Sequence, residues 1–172
     1  DIILNIDFTE QIMKPIYTNF FKNSDSKDPI EKALKNIPIF ENLSPKETGY
    51  VKRLVHIRDF KKDETIFKKL APAEGMYIIL EGKIEILEPE SNVIFANLSS
   101  GDFFGELALL DDEPRSATAI ATVQSNLIGF FRTDLLTLIK RYPDLGNKIL
   151  LNLSRVLGER LRRTNQELLK KK

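Results

Sequence analysis

The chain has 172 residues, 42% hydrophobic and 30% charged, which suits one globular domain with appendages and is enough to bury a core. Lys plus Arg number 26 and Asp plus Glu 25, a net charge of +1, so the overall charge gives no support for a polyphosphate partner such as DNA. There are no cysteines, which excludes structural disulfides and thiolate metal sites.

No apolar run has the length of a bilayer span; Met76–Leu80 stops at Glu81 and Gly82. The N-terminus carries Asp7 and Glu10 and lacks the basic region and apolar core of a signal peptide. The chain is therefore expected in the cytoplasm with no membrane segment. It begins at Asp1, not Met, and is read as an excised fragment or a processed chain, with an effector domain expected outside it.

Residues 1–29 read as a helical lead-in and linker. Phe8, Ile12, Met13, Ile16, Tyr17, Phe20 and Phe21 recur at helical spacing, and Asp7 and Glu10 are spaced as an N-cap and its partner. Pro15 predicts a kink or a short helix, and Asn23–Pro29 is a polar, turn-rich stretch. This apolar face is expected to pack on the main domain or to dock a missing one. The main domain is expected over 30–172. Ile30, Leu34 and Ile37 share a helix face, and Ser44-Pro45-Lys46-Glu47 has the pattern of a capped helix start.

From about residue 55 to 131 the period changes to two. Val55–Arg58, Lys83–Ile86 and Val93–Ala96 read as strands, with Gly75, Gly82, Gly101 and Gly105 as turns between them. Many short strands predict a jelly roll or barrel. Helical pattern returns over about 133–170: one helix at Thr133–Ile139, then a long one from Pro143 to about Leu169. Leu150, Leu153, Leu157, Leu161, Thr164 and Leu168 form one stripe of that long helix, read as packing on the domain or on a second copy in a homodimer. The class is α+β.

The segment Gly101–Ala119 carries the chemistry. Two glycines flank Phe103-Phe104, and a short helix-capable stretch follows, whose free N–H groups can hold an anion. Arg115 adds a planar two-donor fork suited to phosphate, and Ser116 a hydroxyl. Glu106 would repel phosphate but accepts from a hydroxyl such as a ribose 2′-OH. Together they describe a site for a sugar phosphate. Singly, plainer readings exist: Glu106 as a first-turn acidic residue, Arg115 as a surface partner of Asp111, Asp112 or Glu113.

Phe104-Gly105-Glu106-Leu107-Ala108-Leu109 and Pro114-Arg115-Ser116-Ala117-Thr118 resemble the phosphate-binding cassette of the cyclic nucleotide-binding domain family, which includes the catabolite activator protein and protein kinase A regulatory subunits. Ile37–Ser44, Phe60–Phe67 and Gly75–Gly82 are similar to the family's first helical turn and early strands, so the resemblance covers about Pro38 to Lys170. It implies an eight-stranded antiparallel jelly roll flanked by N-terminal helices and a C-terminal helix pair. It further implies that Arg115 and Ser116, with the N–H of Ala117, hold the cyclic phosphate, and that Glu106 takes the ribose 2′-hydroxyl. Gly105 would let the backbone approach the sugar, with Phe104, Leu107 and Ala108 beside it. Thr164 and Asn165 match base-contacting positions of the activator protein's long helix. The implied ligand is cAMP, favoured over cGMP, with no metal. Leu70 stands where the family often has glycine. No helix-turn-helix follows the long helix, and the basic cluster of Arg160, Arg162 and Arg163 with Lys170-Lys171-Lys172 reads as a solvated helix face, so this chain by itself is not expected to read DNA.

Other functions are poorly supplied. One histidine (His56) and no cysteine leave little for a nucleophile–base triad, so the chain is not read as an enzyme. A cupin-type metal site wants several histidines. A degenerate domain used only for protein contacts or dimerisation is the remaining alternative.

Overall fold

The structure is a computed structural model that describes residues 28–170. The stripe from Phe8 to Phe21 and the Asp7–Glu10 cap lie outside the described residues. Asp28 and Pro29, expected in the linker, open the first helix, α1 (Pro29–Asn36). The Asp28 carboxylate accepts from the N–H groups of Ile30 and Glu31 at 2.9 and 3.3 Å, and Pro29 fills a position that has no use for a donor. Leu34 and Ile37 are buried, and Ile30 packs on the same core. A 3₁₀ turn over Pro38–Phe40 buries Ile39 and Phe40. Helix α2 (Pro45–Lys52) starts with the expected capping box: Ser44 Oγ accepts from Glu47 N–H at 3.3 Å, and Glu47 Oε2 accepts from Ser44 N–H at 2.6 Å.

Eight strands follow: β1 (His56–Phe60), β2 (Thr65–Phe67), β3 (Gly75–Glu81), β4 (Lys83–Glu88), β5 (Val93–Ser99), β6 (Phe103–Phe104), β7 (Thr118–Ala121) and β8 (Ser125–Phe131). They form two four-stranded antiparallel sheets, ordered β1-β8-β3-β6 and β2-β7-β4-β5, which is the jelly roll the sequence predicts. Ile79 and Leu127 face between the sheets with Ile84, Leu98 and Ala119. Met76, Ile78, Ile128 and Phe130 face the other way, onto Leu34, Val51, Leu135 and Leu153 of the helices. The first sheet is thus covered on both faces at β3 and β8. That is why those strands read as nearly continuous apolar runs and not as alternation.

Gly82, Gly101 and Gly105 have positive φ and serve as turns. Gly75 does not: it is the first residue of β3, opposite Phe131. A Cβ there would lie 2.4 Å from the Phe130 carbonyl oxygen and 2.7 Å from Phe131 Cα, so glycine is required by close strand approach.

Helix α3 (Arg132–Arg141) begins where Asp134 Oδ2 accepts the N–H of Phe131 at 2.9 Å. Helix α4 (Pro143–Leu169) has 27 residues and starts at the expected proline. Its first half buries Leu145, Ile149, Leu153 and Val156. Polar ties fix its register: Asn152 Nδ2 donates to the carbonyl of Glu41 at 2.9 Å, and Lys148 Nζ pairs with Glu47 at 2.8 Å. Tyr142, at the α3–α4 corner, stacks on Tyr50 of α2 with centroids 4.1 Å apart. The expected leucine stripe is only half used. Leu153 is buried and Leu150 and Leu157 pack on the core, whereas Leu161 and Leu168 are 62% and 57% exposed.

Candidate functional site

A cavity of 450 Å³ opens between the inter-sheet layer and α4, within the range of small-molecule sites. Its apolar wall includes Phe67, Ile86, Phe95 and Phe104. The polar side is the stretch after β6: Gly105, a 3₁₀ turn over Glu106–Leu109, and the loop returning through Arg115 to β7. Phe104, Gly105, Glu106, Leu107, Ala108, Arg115, Ser116 and Ala117 all line this one cavity.

Arg115 is its centre. The residue is 7% exposed, and its guanidinium straddles two carbonyls: Nη2 donates to Gly75 at 2.7 Å and Nη1 to Gly105 at 3.3 Å. Its charge lies over the Phe67 ring, 4.1 Å from the centroid. Nε is buried and has no hydrogen-bond partner. Among the described residues no carboxylate pairs with Arg115, so the surface-pair reading with Asp111, Asp112 or Glu113 is ruled out by burial. Burial lowers the guanidinium pKa, opposed by the ionisable groups of Tyr77, Glu74 and Glu106; an arginine stays charged regardless. A desolvated cation whose hydrogen bonds go to neutral carbonyls, with one donor left over, has the chemistry to meet an anion.

Two neighbours place that fork. Gly105 has φ 76°, and a Cβ there would come within 2.7 Å of Arg115 Nη1. Arg115 also exchanges backbone bonds with the β2–β3 loop: its carbonyl accepts from Leu70 N–H at 2.8 Å and its N–H donates to Ala71 at 2.9 Å. Leu70 sits at φ 65° in that turn, the left-handed conformation glycine adopts more easily.

Glu106 is buried, at 4% exposure, in the first turn after Gly105. Its carboxylate pairs with the guanidinium of Arg160 on α4. Arg160 Nη2 also donates to the Phe103 carbonyl at 3.4 Å, and its charge lies 4.9 Å from the Phe103 ring centroid. Asp102, just before, is pushed up in pKa by burial, against the Ser99 N–H and the Arg160 charge. Arg160, expected on a solvated basic face with Arg162 and Arg163, lines the cavity instead. The signal was there: Arg160 lies four residues beyond buried Val156 and seven beyond buried Leu153, on the same helix face.

Thr164 and Asn165 are not brought to the cavity. Both are exposed, and Thr164 Oγ1 donates to the Arg160 carbonyl at 3.0 Å within its own helix. The helix carries them one turn past the last cavity contact. His56 is an exposed residue of β1, 3.6 Å from Asp134, away from the cavity. Among the described residues no group of three or more His, Asp or Glu side chains could hold a metal, and no helix is long and apolar enough to cross a membrane.

A family model of the cyclic nucleotide-binding domain matches residues 57–142, from β1 to the end of α3. The chain belongs to that family. It is 31% identical over 138 residues to the cyclic AMP receptor protein of Thermus thermophilus, covering 78% of this chain and 62% of that protein. It is 34% identical over 101 residues to a cAMP-dependent protein kinase regulatory subunit of Mycosarcoma maydis, covering 58% of this chain and 19% of that one. The crystal structure of a cyclic nucleotide-binding domain from Methylobacillus flagellatus superimposes with a TM-score of 0.72 at 25% identity, covering 84% of this chain and 83% of that one. The chain spans less than two thirds of the length of the curated relatives named here.

Proposed function

We propose that this domain is a sensor that binds a 3′,5′-cyclic purine nucleotide, cAMP in preference to cGMP, and that occupancy changes the position of the distal half of α4. Arg115 carries the reading: a buried guanidinium at the cavity with a free Nε and no carboxylate partner. Ser116 and the N–H of Ala117 are the other donors proposed for the cyclic phosphate. Glu106 is the acceptor proposed for the 2′-hydroxyl. The preference for cAMP follows the relatives, whose names are those of a cAMP receptor and a cAMP-dependent regulatory subunit. Arg115 and Glu106 together on one cavity also speak against a domain kept only for protein contacts. Calorimetry with cAMP and cGMP tests the ligand. The expected result is micromolar affinity or better for cAMP, roughly −8 kcal/mol. No heat and no thermal shift with either nucleotide would sink it.

Helix movement is supported by the split character of α4. The half up to Leu157 is packed and polar-tied, while Leu161, Leu168 and Leu169 are uncovered. Exposed Leu107 stands on the cavity's 3₁₀ segment and exposed Leu110 just past its end. Closure of the distal half would bring Thr164 and Asn165 to the base and leave an apolar stripe for a second copy. Analytical ultracentrifugation with and without nucleotide checks this: a dimer favoured by ligand is expected, and a monomer in both states would discard it. In the same reading, Thr164→Ala with Asn165→Ala should lose discrimination between cAMP and cGMP while keeping the phosphate grip; unchanged discrimination would discard the lid.

A further inference from the structure

We propose that Asp111 and Glu113 make the cavity select singly charged phosphodiesters over doubly charged phosphomonoesters. This rests on the ligand reading above and names what sets its selectivity. Asp111, Asp112 and Glu113 follow one another where the chain leaves the 3₁₀ segment, yet they are used differently. Asp112 is paired with Arg132, the first residue of α3, and does not line the cavity. Asp111 and Glu113 line the cavity. Asp111 is held in place because its Oδ1 accepts the N–H of Glu113 at 3.2 Å, closing a local turn.

The cations in the cavity are also unequal. Arg160 is already paired with Glu106. Arg115 has carbonyl partners only. Arg115, which feels the charges of Glu74 and Glu106 but pairs with neither, thus shares the cavity with two exposed carboxylates at its rim. A ligand with a single negative charge is matched by Arg115. A second negative charge finds no further unpaired cation on the cavity and is repelled by both carboxylates, weakly because they are solvent-exposed and salt-screened. Shape alone would not give this result, because a linear phosphodiester and a linear phosphomonoester share the same sugar and base.

The test titrates the whole chain with cAMP, AMP and adenosine 5′-methylphosphate, the last being linear but singly charged. It is run at about pH 7.5, above the second ionisation of a phosphomonoester near 6. The wild type is expected to bind the methyl ester more tightly than AMP. In an Asp111→Asn, Glu113→Gln variant both ligands gain, and the doubly charged one gains about twice as much on a logarithmic scale. The AMP-to-ester ratio of Kd should therefore fall about five-fold at low salt, the size expected of two unit charges acting through water across such a cavity, and by less at high salt. A ratio unchanged by the substitutions overturns the assignment. A wild type that binds cAMP and treats the two linear ligands alike overturns it too, while sparing the ligand reading. A wild type that binds none of the three overturns both.

Discussion

Arg160 on α4 and Glu106 on the cavity wall, 54 residues apart in sequence, form an ion pair that ties the helix to the cassette. The buried carboxylate proposed for a ribose hydroxyl is thus already held by the element proposed to move. Any hydroxyl donor that takes Glu106 must share it with Arg160.

The 2′-hydroxyl role can be isolated with 2′-deoxy-cAMP. A hydrogen bond to a charged acceptor contributes about 1.5–3 kcal/mol, so the wild type should bind cAMP roughly ten- to a hundred-fold better than its deoxy analogue. Glu106→Ala should be nearly indifferent between the two in calorimetry. An equal penalty in both proteins would remove Glu106 from that role.

Arg115→Ala should cost about 2–5 kcal/mol of binding, because a desolvated charge contact loses one partner. Arg115→Lys should not rescue it: an ammonium is a point charge and cannot bridge the carbonyls of Gly75 and Gly105 while offering a third donor. A lysine variant with wild-type affinity would contradict the fork geometry.

The polar wall of the cavity is legible in the sequence because it is nearly contiguous: Gly105, Glu106, Arg115 and Ser116 lie within one short stretch, and each residue type has a direct chemical use. The capping box of Ser44 and Glu47 and the helix start at Pro143 were legible for the same local reason. What was missed is long-range. Gly75 looks like a turn in the sequence because nothing local shows that Phe130 and Phe131 crowd it from another strand. Arg160 looks solvated in the sequence because three neighbouring arginines look alike until the helix phase set by Leu153 and Val156 singles one out. Thr164 and Asn165 came from resemblance, and helix geometry places them beyond the cavity's edge.

Leu70→Gly should stabilise the protein. Leu70 holds φ 65° and is 72% exposed, so it has left-handed strain and little burial to lose. The strain is about 1–2 kcal/mol for a side-chain residue, offset by the greater unfolded-state freedom of glycine at about 0.5–1 kcal/mol. The net gain should raise Tm by about 1–4 °C in a chain of this size. A fall in Tm would show that the Leu70 side chain makes a contact worth more than the strain.

Acid should destabilise the fold through paired carboxylates. The Lys148 ammonium lowers the Glu47 pKa, Lys52 lowers that of Asp28, and Lys69 that of Glu88. Their folded values lie below the unfolded ones, so their contribution is fully present above the ordinary carboxylate range, near pH 4–4.5, and is lost as pH falls through the folded values. Asp102, raised by burial, acts in the opposite sense and partly offsets the loss. Thermal melts from about pH 7 to 3 should show a falling Tm, and Lys148→Met should flatten that fall. An identical slope in the variant would remove the Glu47 pair from the acid limb.

Gly158 is where α4 should bend. The residue follows Leu157, the last side chain packed on the core, and precedes Arg160 at the cavity. Packing does not demand a glycine there: an added Cβ would meet only the Arg162 guanidinium, at 3.5 Å or more. Its effect is therefore on the helix itself, which it weakens by about 1 kcal/mol relative to alanine. Upstream, Asn152 and Lys148 lock α4 to Glu41 and Glu47, so rotation of the whole helix would break those contacts. Bending at Gly158 moves Arg160, Leu161 and Thr164 and leaves the locked half in place. Gly158→Ala should raise Tm by about 2–4 °C per kcal/mol gained. It should also shrink the cAMP-dependent change in amide exchange over residues 159–170, with affinity falling if the bent form is the one that binds tightly. Hydrogen exchange of both proteins, with and without cAMP, makes the comparison. An undiminished change in the alanine variant would place the moving joint elsewhere, at the β8–α3 or α3–α4 corner.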